Sequence, residues 1–132
     1  MPTADGAPVS ATPLALVLTE LLRRGFEAEL AGASYEKHDM LVRVRESRPK
    51  PIRVKTVHSA PWYVRGDLFA KRADQVTVYV LLGAETEVPA RFFVVKNSDL
   101  AGQFRQPPTW KAFGFIDVES VEKYEDNWDI LN

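Results

Sequence analysis

The chain has 132 residues, enough for one domain whose core needs neither metal nor disulfide bonds to hold it together. It contains no cysteine, which excludes a disulfide framework, thiolate zinc sites and a cysteine nucleophile. Seventeen basic and eighteen acidic residues give a net charge of −1, so any surface that attracts nucleic acid must be local.

Residues 1–11 lack the basic-then-apolar pattern of a signal peptide. The longest apolar runs are also far shorter than the roughly 20 residues that a membrane-spanning helix needs. We therefore expect a cytoplasmic protein without a membrane partner. Residues 1–12 are predicted to form a flexible N-terminal segment and residues 13–132 a single domain.

A helix is predicted to begin at Thr12 and Pro13, because a hydroxyl N-cap followed by proline favours a helix start. Gly25 is placed to end it. Between them, apolar residues recur at helical spacing and predict one buried stripe: Leu14, Val17, Leu18, Leu21 and Leu22.

The next segments have the two-residue period of strands. Residues 26–30 alternate apolar side chains with glutamates. Residues 35–57 predict two strands that are joined by a polar turn containing Pro49 and Pro51. This hairpin is the part of the sequence that carries the candidate functional residues.

A turn centred near Arg48 would place position 41 opposite position 55, and position 43 opposite position 53. Side chains alternate between the two faces of a strand, so this register puts four charged residues on one face. They are one carboxylate and three cations: Asp39, Arg43, Arg53 and Lys55.

The second half of the chain predicts more strands and short helices. In order, these are a loop at 59–66, a short helix at 67–73, a buried central strand at 76–82, a strand at 91–96, a short helix from 97 or 98 to 104, an edge strand at 113–118 and a packed tail at 121–131. This order predicts an α/β or α+β sheet with mixed strand directions.

Several of these segments together resemble the restriction-endonuclease-like, or PD-(D/E)XK, superfamily, and in particular its small bacterial members. The resemblance is carried by the helix end LLRRGF, the strands DMLV and IRVKT, the following Trp62, the strand VYV and the terminal NWDIL. It implies an α/β fold with an αβββαβ core, in which helices flank a mixed central sheet. It also implies a domain that acts on nucleic acid.

In that superfamily, the acid at the position of Asp39 and a second acid two residues before the lysine hold Mg²⁺, which polarises the attacking water. Lys55 matches the lysine, which steadies the developing charge. Arg53 stands where the second acid is expected. A guanidinium cannot ligate a metal, and at about 4 Å it would repel each unit of metal charge by about 4 kcal/mol at an effective dielectric near 20.

Two functions follow from this departure. One is a nuclease-fold domain, catalytically impaired, that binds nucleic acid or a protein partner. The other is an active magnesium-dependent endonuclease that uses Asp39 and Lys55 with a migrated carboxylate, for which Glu20 and Glu36 are the candidates. The plainer interpretation of Glu20 is a helical ion pair with Arg24.

The cations of the hairpin, Arg43, Arg45 and Arg53, are predicted on one sheet face, where they are either solvated or bind phosphates of DNA or RNA. A homodimer could form by pairing of strand 91–96 or of an edge near residue 115. The tryptophans at 62, 110 and 128 are expected to pack in or at the rim of the core rather than to stack on bases.

Overall fold

The computed structural model describes residues 11–31, 39–83 and 89–132. The helices are α1 (Ala11–Arg23), α2 (Asp67–Ala70), α3 (Asn97–Leu100) and α4 (Val118–Val121), and short 3-10 turns cover Ala101–Gln103, Glu122–Tyr124 and Trp128–Leu131. The strands are β1 (Glu27–Leu30), β2 (Met40–Arg43), β3 (Lys50–Val57), β4 (Trp62–Arg65), β5 (Val76–Leu81), β6 (Arg91–Lys96) and β7 (Phe113–Ile116). No helix in these ranges is long and apolar enough to cross a membrane.

A five-stranded sheet has the order β1-β2-β3-β5-β6, and β4 and β7 form a separate two-stranded sheet. The pairs β1–β2, β2–β3 and β5–β6 are antiparallel. The Leu82 N–H donates to the Val57 carbonyl at 2.9 Å, so the carboxyl ends of β3 and β5 lie side by side and these strands are parallel. With α1 packed on β1 and α3 on β6, the protein is a mixed α/β fold, as predicted.

The chain divides into two compact units. Unit 1 comprises residues 1–54 with 131–132, and unit 2 comprises residues 55–130. Strand β3 belongs to both. The prediction of one domain over residues 13–132 stays a prediction, and most of the predicted flexible segment lies outside the described residues.

Helix α1 of unit 1 ends at Arg23 and is followed by the predicted stop residue Gly25, which has a φ of +91°. The Phe26 N–H donates to the Leu21 carbonyl at 3.0 Å and the Gly25 N–H to the Leu22 carbonyl at 3.1 Å, the bonding pattern that a left-handed glycine permits. Val17 and Leu21 are fully buried. Leu22, however, is 53% exposed, so the buried stripe is narrower than predicted.

The predicted hairpin forms, but its predicted register is wrong. Met40 pairs with Ile52 and Leu41 with Pro51, so position 41 lies opposite 51 and not 55. The turn comes earlier because Ser47 closes it: its N–H donates to the Val44 carbonyl at 3.0 Å, and its Oγ accepts the Val44 N–H at 3.1 Å. The shift is four residues, an even number, so Asp39, Arg43 and Arg53 keep their predicted face.

Unit 2 has its core around Trp62, whose indole N–H donates to the Val80 carbonyl at 3.1 Å. Its ring meets Tyr79 and Phe93 edge-on at 5.3 and 5.7 Å between centroids. The predicted central strand is β5, in which residues 76–80 are all buried. Strand β6 begins and ends at the predicted residues.

The prediction of a loop over residues 59–66 is wrong, because residues 62–65 form strand β4. This strand pairs with β7, some fifty residues further along the chain, in the register Trp62↔Ile116 to Arg65↔Phe113. Pro61 and Gly66 bound it and suggested a loop. Its strand character depends on a distant partner, which local propensity does not report.

The tail contacts the free edge of β6. Glu125 forms a bridge with Phe93, and the Asp126 N–H donates to the Phe92 carbonyl at 2.8 Å. The Asn127 side-chain amide donates to the Val94 carbonyl at 3.2 Å. These contacts cover part of the β6 edge that was predicted to pair across a two-fold axis, so this edge is not fully open for pairing with a second copy. The homodimer stays a prediction.

Candidate functional site

Asp39 is held by its backbone on both sides. Its N–H donates to the Ile52 carbonyl at 2.8 Å, and its carbonyl accepts the Ala31 N–H at 2.9 Å. It therefore stands immediately before β2 with neighbours in both adjoining strands. The sequence pattern that placed Asp39 at the opening of the strand is confirmed.

The Asp39 carboxylate contacts two groups of β3. Its Oδ2 accepts the Val54 backbone N–H at 2.8 Å, and its Oδ1 lies 3.8 Å from Nη1 of Arg53. The side chains of Asp39 and Arg53 are only 28% and 23% exposed, so the pair is partly shielded from water. One carboxylate oxygen thus satisfies a peptide N–H while the other faces a permanent cation.

The sheet face around Asp39 carries more negative charge than predicted. Strand β1 pairs Glu27 with Arg43 and Glu29 with Leu41, which puts both glutamates on the same face as Asp39. Arg43 Nη2 lies 2.6 Å from Glu27 Oε1, and this hydrogen bond raises the pKa of Arg43. The expectation of a single carboxylate on this face was wrong, because β1 lies next to β2 in the sheet and adds its two glutamates. The alternating glutamates of β1 were the available signal.

The other predicted cations differ in placement. Arg45 does not lie on a strand face with Arg43 and Arg53: it is in the turn after β2, exposed, with a φ of +54°. Arg48, in the same turn, is also exposed. Lys55 lies two residues after Arg53 in β3 and belongs to unit 2.

Glu20, one of the two substitute carboxylates, is bound to its own helix. Its Oε2 lies 2.6 Å from Nε of Arg24 and 3.1 Å from Nη2 of Arg23. Burial raises the pKa of Glu20, but the hydrogen bonds from Arg24 and Arg23 together outweigh it, and the net pKa is lowered. The predicted Glu20–Arg24 ion pair is confirmed. Glu36, the second substitute, lies outside the described residues.

Among the described residues, the side chains around Asp39 do not make up a set of ligands for magnesium. Mg²⁺ needs six oxygen ligands in octahedral geometry, usually from one or two carboxylates together with waters and substrate phosphates. Across residues 11–31, 39–83 and 89–132, no three His, Asp or Glu side chains gather into a group that could hold a metal ion. The cation that does lie beside Asp39 is a guanidinium.

Comparisons with known proteins concern the fold. No protein-family model and no curated protein matches the chain. The Holliday junction resolvase Hjc of the archaeon Archaeoglobus fulgidus superposes with a TM-score of 0.58 and 17% identity, covering 92% of this chain and 93% of Hjc. A bacterial homing endonuclease, I-Ssp6803I, gives a TM-score of 0.57 and 15% identity, covering 92% of this chain and 87% of the endonuclease.

The chain is therefore similar in fold to these two nucleases. The predicted α/β fold with a mixed central sheet and flanking helices is confirmed, while the superfamily itself stays a prediction. At 15–17% identity, the likeness shows the fold alone.

Proposed function

We propose that this chain is a nuclease-fold domain that binds nucleic acid and does not hydrolyse it through Asp39. The absence of hydrolysis through Asp39 is supported by the position of its carboxylate between the Val54 N–H and the Arg53 guanidinium. A metal ion at this carboxylate would have to share it with a hydrogen-bonded N–H and sit beside a fixed positive charge. At about 4 Å and an effective dielectric of about 20, that repulsion is about 4 kcal/mol per unit charge.

Nucleic acid as the ligand is supported by the fold, which this chain has in common with a Holliday junction resolvase and a homing endonuclease. Cations at the hairpin support it too. Arg45 and Arg48 are exposed in the turn, and no ion pair within the described part of the chain involves either of them. Exposed guanidiniums of this kind neutralise phosphates and release counterions. Arg43 and Arg53, by contrast, already face carboxylates.

A protein partner and an active endonuclease are the competing proposals. The second would need Glu36, or a rearranged Glu20, as a further magnesium ligand. A cleavage assay combined with a binding assay distinguishes these two proposals from the one made above. A cytoplasmic location remains a prediction.

The test pairs these two assays. Supercoiled plasmid is incubated with Mg²⁺ or Mn²⁺ and wild type, Asp39→Asn or Lys55→Ala, while fluorescence anisotropy follows binding of labelled DNA and RNA. Asn is the matched control because its amide oxygen can still accept the Val54 N–H. We expect equal background nicking by all three proteins, and salt-sensitive binding by wild type.

Nicking by wild type that chelator abolishes and both variants lose would contradict the proposal and identify an active endonuclease. Absence of binding to every DNA and RNA probe would contradict its nucleic-acid half and leave a protein partner. The turn cations give a further check. Arg45→Gln with Arg48→Gln should weaken binding and reduce the dependence of log K on log salt by roughly 0.9 per lost duplex phosphate contact.

A further inference from the structure

The two-stranded sheet of unit 2 has one buried side and one exposed side. Trp62, Val64 and Ile116 point into the core and are fully buried. The opposite side carries Tyr63 and Arg65 on β4, and Phe113 and Phe115 on β7, in the pairs Tyr63↔Phe115 and Arg65↔Phe113. Together with Trp110, which contacts two of them, these residues are called the aromatic face.

Large rings on this face are open to solvent. Tyr63 is 58% exposed, Phe113 48% and Trp110 38%. The Trp110 ring lies 6.0 Å from Tyr63 and 5.9 Å from Phe115 between centroids. Aromatic side chains normally supply core packing, and a group of exposed ones marks a surface that binds a ligand or partner. Trp110, which was predicted to pack in or at the rim of the core, is far more exposed than the buried Trp62 and Trp128.

The segment that carries Trp110 is held in place by hydrogen bonds. The Gln106 side-chain amide donates to the carbonyls of Trp110 at 3.2 Å and Lys111 at 2.7 Å. The Trp110 N–H donates to the Pro107 carbonyl at 2.9 Å. The backbone that carries the ring is therefore preorganised, which lowers the conformational entropy that is lost when a ligand binds.

Positive charge surrounds the rings. The Arg65 guanidinium lies 5.3 Å from the centroid of Phe113. Arg105 pairs directly with Phe115, which sets its side chain on the same side of the strands, and Lys111 follows Trp110 in the chain. All three cations are exposed. The carboxylate that contacts one of them is Asp67, 3.5 Å from Arg65.

We propose that the aromatic face binds unpaired nucleotides of a single-stranded nucleic acid. Bases stack on the exposed rings of Tyr63 and Trp110, while Arg65, Arg105 and Lys111 contact the phosphates. Stacking planes interleaved with cations are the combination by which single strands are held without sequence preference. A duplex conceals the faces of its bases and matches these rings less well. The proposal rests on the proposed function in taking nucleic acid as the ligand of this domain.

The experiment compares a labelled oligo-dT with a hairpin duplex of equal charge by fluorescence anisotropy. Tyr63→Leu and Trp110→Leu keep apolar area but remove the aromatic plane, whereas Tyr63→Phe and Trp110→Phe keep the plane. Because both side chains are exposed, none of the four changes opens the core. Thermal melting checks that all of them fold.

We expect each leucine variant to bind oligo-dT about fivefold more weakly or worse, and each phenylalanine variant to stay within about twofold of wild type. Duplex binding should change less. Lys111→Gln and Arg105→Gln should each reduce the slope of log K against log salt by roughly 0.7 on the single strand. Tryptophan fluorescence should be quenched by oligo-dT in wild type, and the quenching should be lost in Trp110→Phe.

The possible failures are distinguishable. If wild type binds no nucleic acid at all, the proposed function fails and this inference with it. If wild type binds but the leucine variants bind oligo-dT equally well, only the aromatic face is overturned. If those variants change the mass in sedimentation equilibrium and leave oligo-dT binding intact, the face is a protein interface, which also overturns the inference.

Discussion

The guanidinium of Arg53 lies 3.8 Å from the carboxylate of Asp39, so a permanent cation faces the acid at the opening of β2. The other oxygen of the same carboxylate accepts a peptide N–H from Val54 at 2.8 Å. Both oxygens of the Asp39 carboxylate therefore have a partner within the chain. Asp39 is therefore expected to act first as a structural acceptor that ties the start of β2 to β3.

Replacing Asp39 should lower stability most when the new side chain cannot accept the Val54 N–H. We expect Asp39→Ala to lower the free energy of unfolding by about 1–3 kcal/mol, because the part-buried Val54 N–H loses its partner. Asp39→Asn should cost less, since an amide oxygen remains. Urea unfolding measures both. Equal stability of wild type and Asp39→Ala would contradict the structural role.

Reversing the charge at Arg53 should create an affinity for divalent cations. Arg53→Glu puts a second carboxylate beside Asp39, so we expect a lower melting temperature from like-charge repulsion and a partial recovery on addition of Mn²⁺. Arg53→Gln is the control, because it removes the cation without adding an acid. A melting temperature that Mn²⁺ raises equally in Arg53→Glu, Arg53→Gln and wild type would show that no ligand pair had formed.

Gly114 lies in β7 on the buried side of the two-stranded sheet, where it pairs with Val64. A Cβ at this position would overlap the Arg105 carbonyl oxygen and lie 2.5 Å from the Phe104 ring. We expect Gly114→Ala to destabilise the protein by about 1–3 kcal/mol through overpacking. Gly102→Ala is the matched control, since a Cβ at position 102 would have no other atom within 4 Å. Chemical denaturation of both variants checks this, and similar losses in the two would count against it.

The contact between β6 and the tail predicts a pH dependence. Arg91 forms a two-point contact with Glu125, at 3.0 and 2.9 Å, and this hydrogen bonding lowers the pKa of Glu125 below its usual value of 4.5. A carboxylate with a depressed folded-state pKa stabilises the fold above its unfolded pKa, and this stabilisation is lost as the pH falls through the folded value. The stability gap between wild type and Glu125→Gln should therefore be constant near neutral pH and shrink below about 4.5. A gap that widens in acid would contradict this.

The sequence was informative where local chemistry decides the structure. Helix α1 has its own stop signal in Gly25, and β5 is apolar over almost its whole length, so both were predictable. The face predicted for Asp39, Arg43 and Arg53 was also right, whereas Arg45 lies in the turn. The register of the hairpin was not, because the turn is closed by the side chain of Ser47, ahead of prolines 49 and 51.

What could not be predicted depends on partners distant in the sequence. Strand β4 becomes a strand by pairing with β7. Glu27 reaches the face of Asp39 only because β1 lies next to β2. The aromatic face likewise requires Tyr63 and Trp110, which are separated by more than forty residues, to come together. In each case the residue types were visible in the sequence, but their neighbours were not.

The most direct test of the central claim is a Mn²⁺ titration of wild type and Asp39→Asn, followed by electron paramagnetic resonance of the free ion. We predict the same titration curve for the two proteins, because Asp39 is occupied by Val54 and Arg53 and does not ligate the ion. Binding by wild type that Asp39→Asn loses would contradict this account and return Asp39 to the role of a metal ligand.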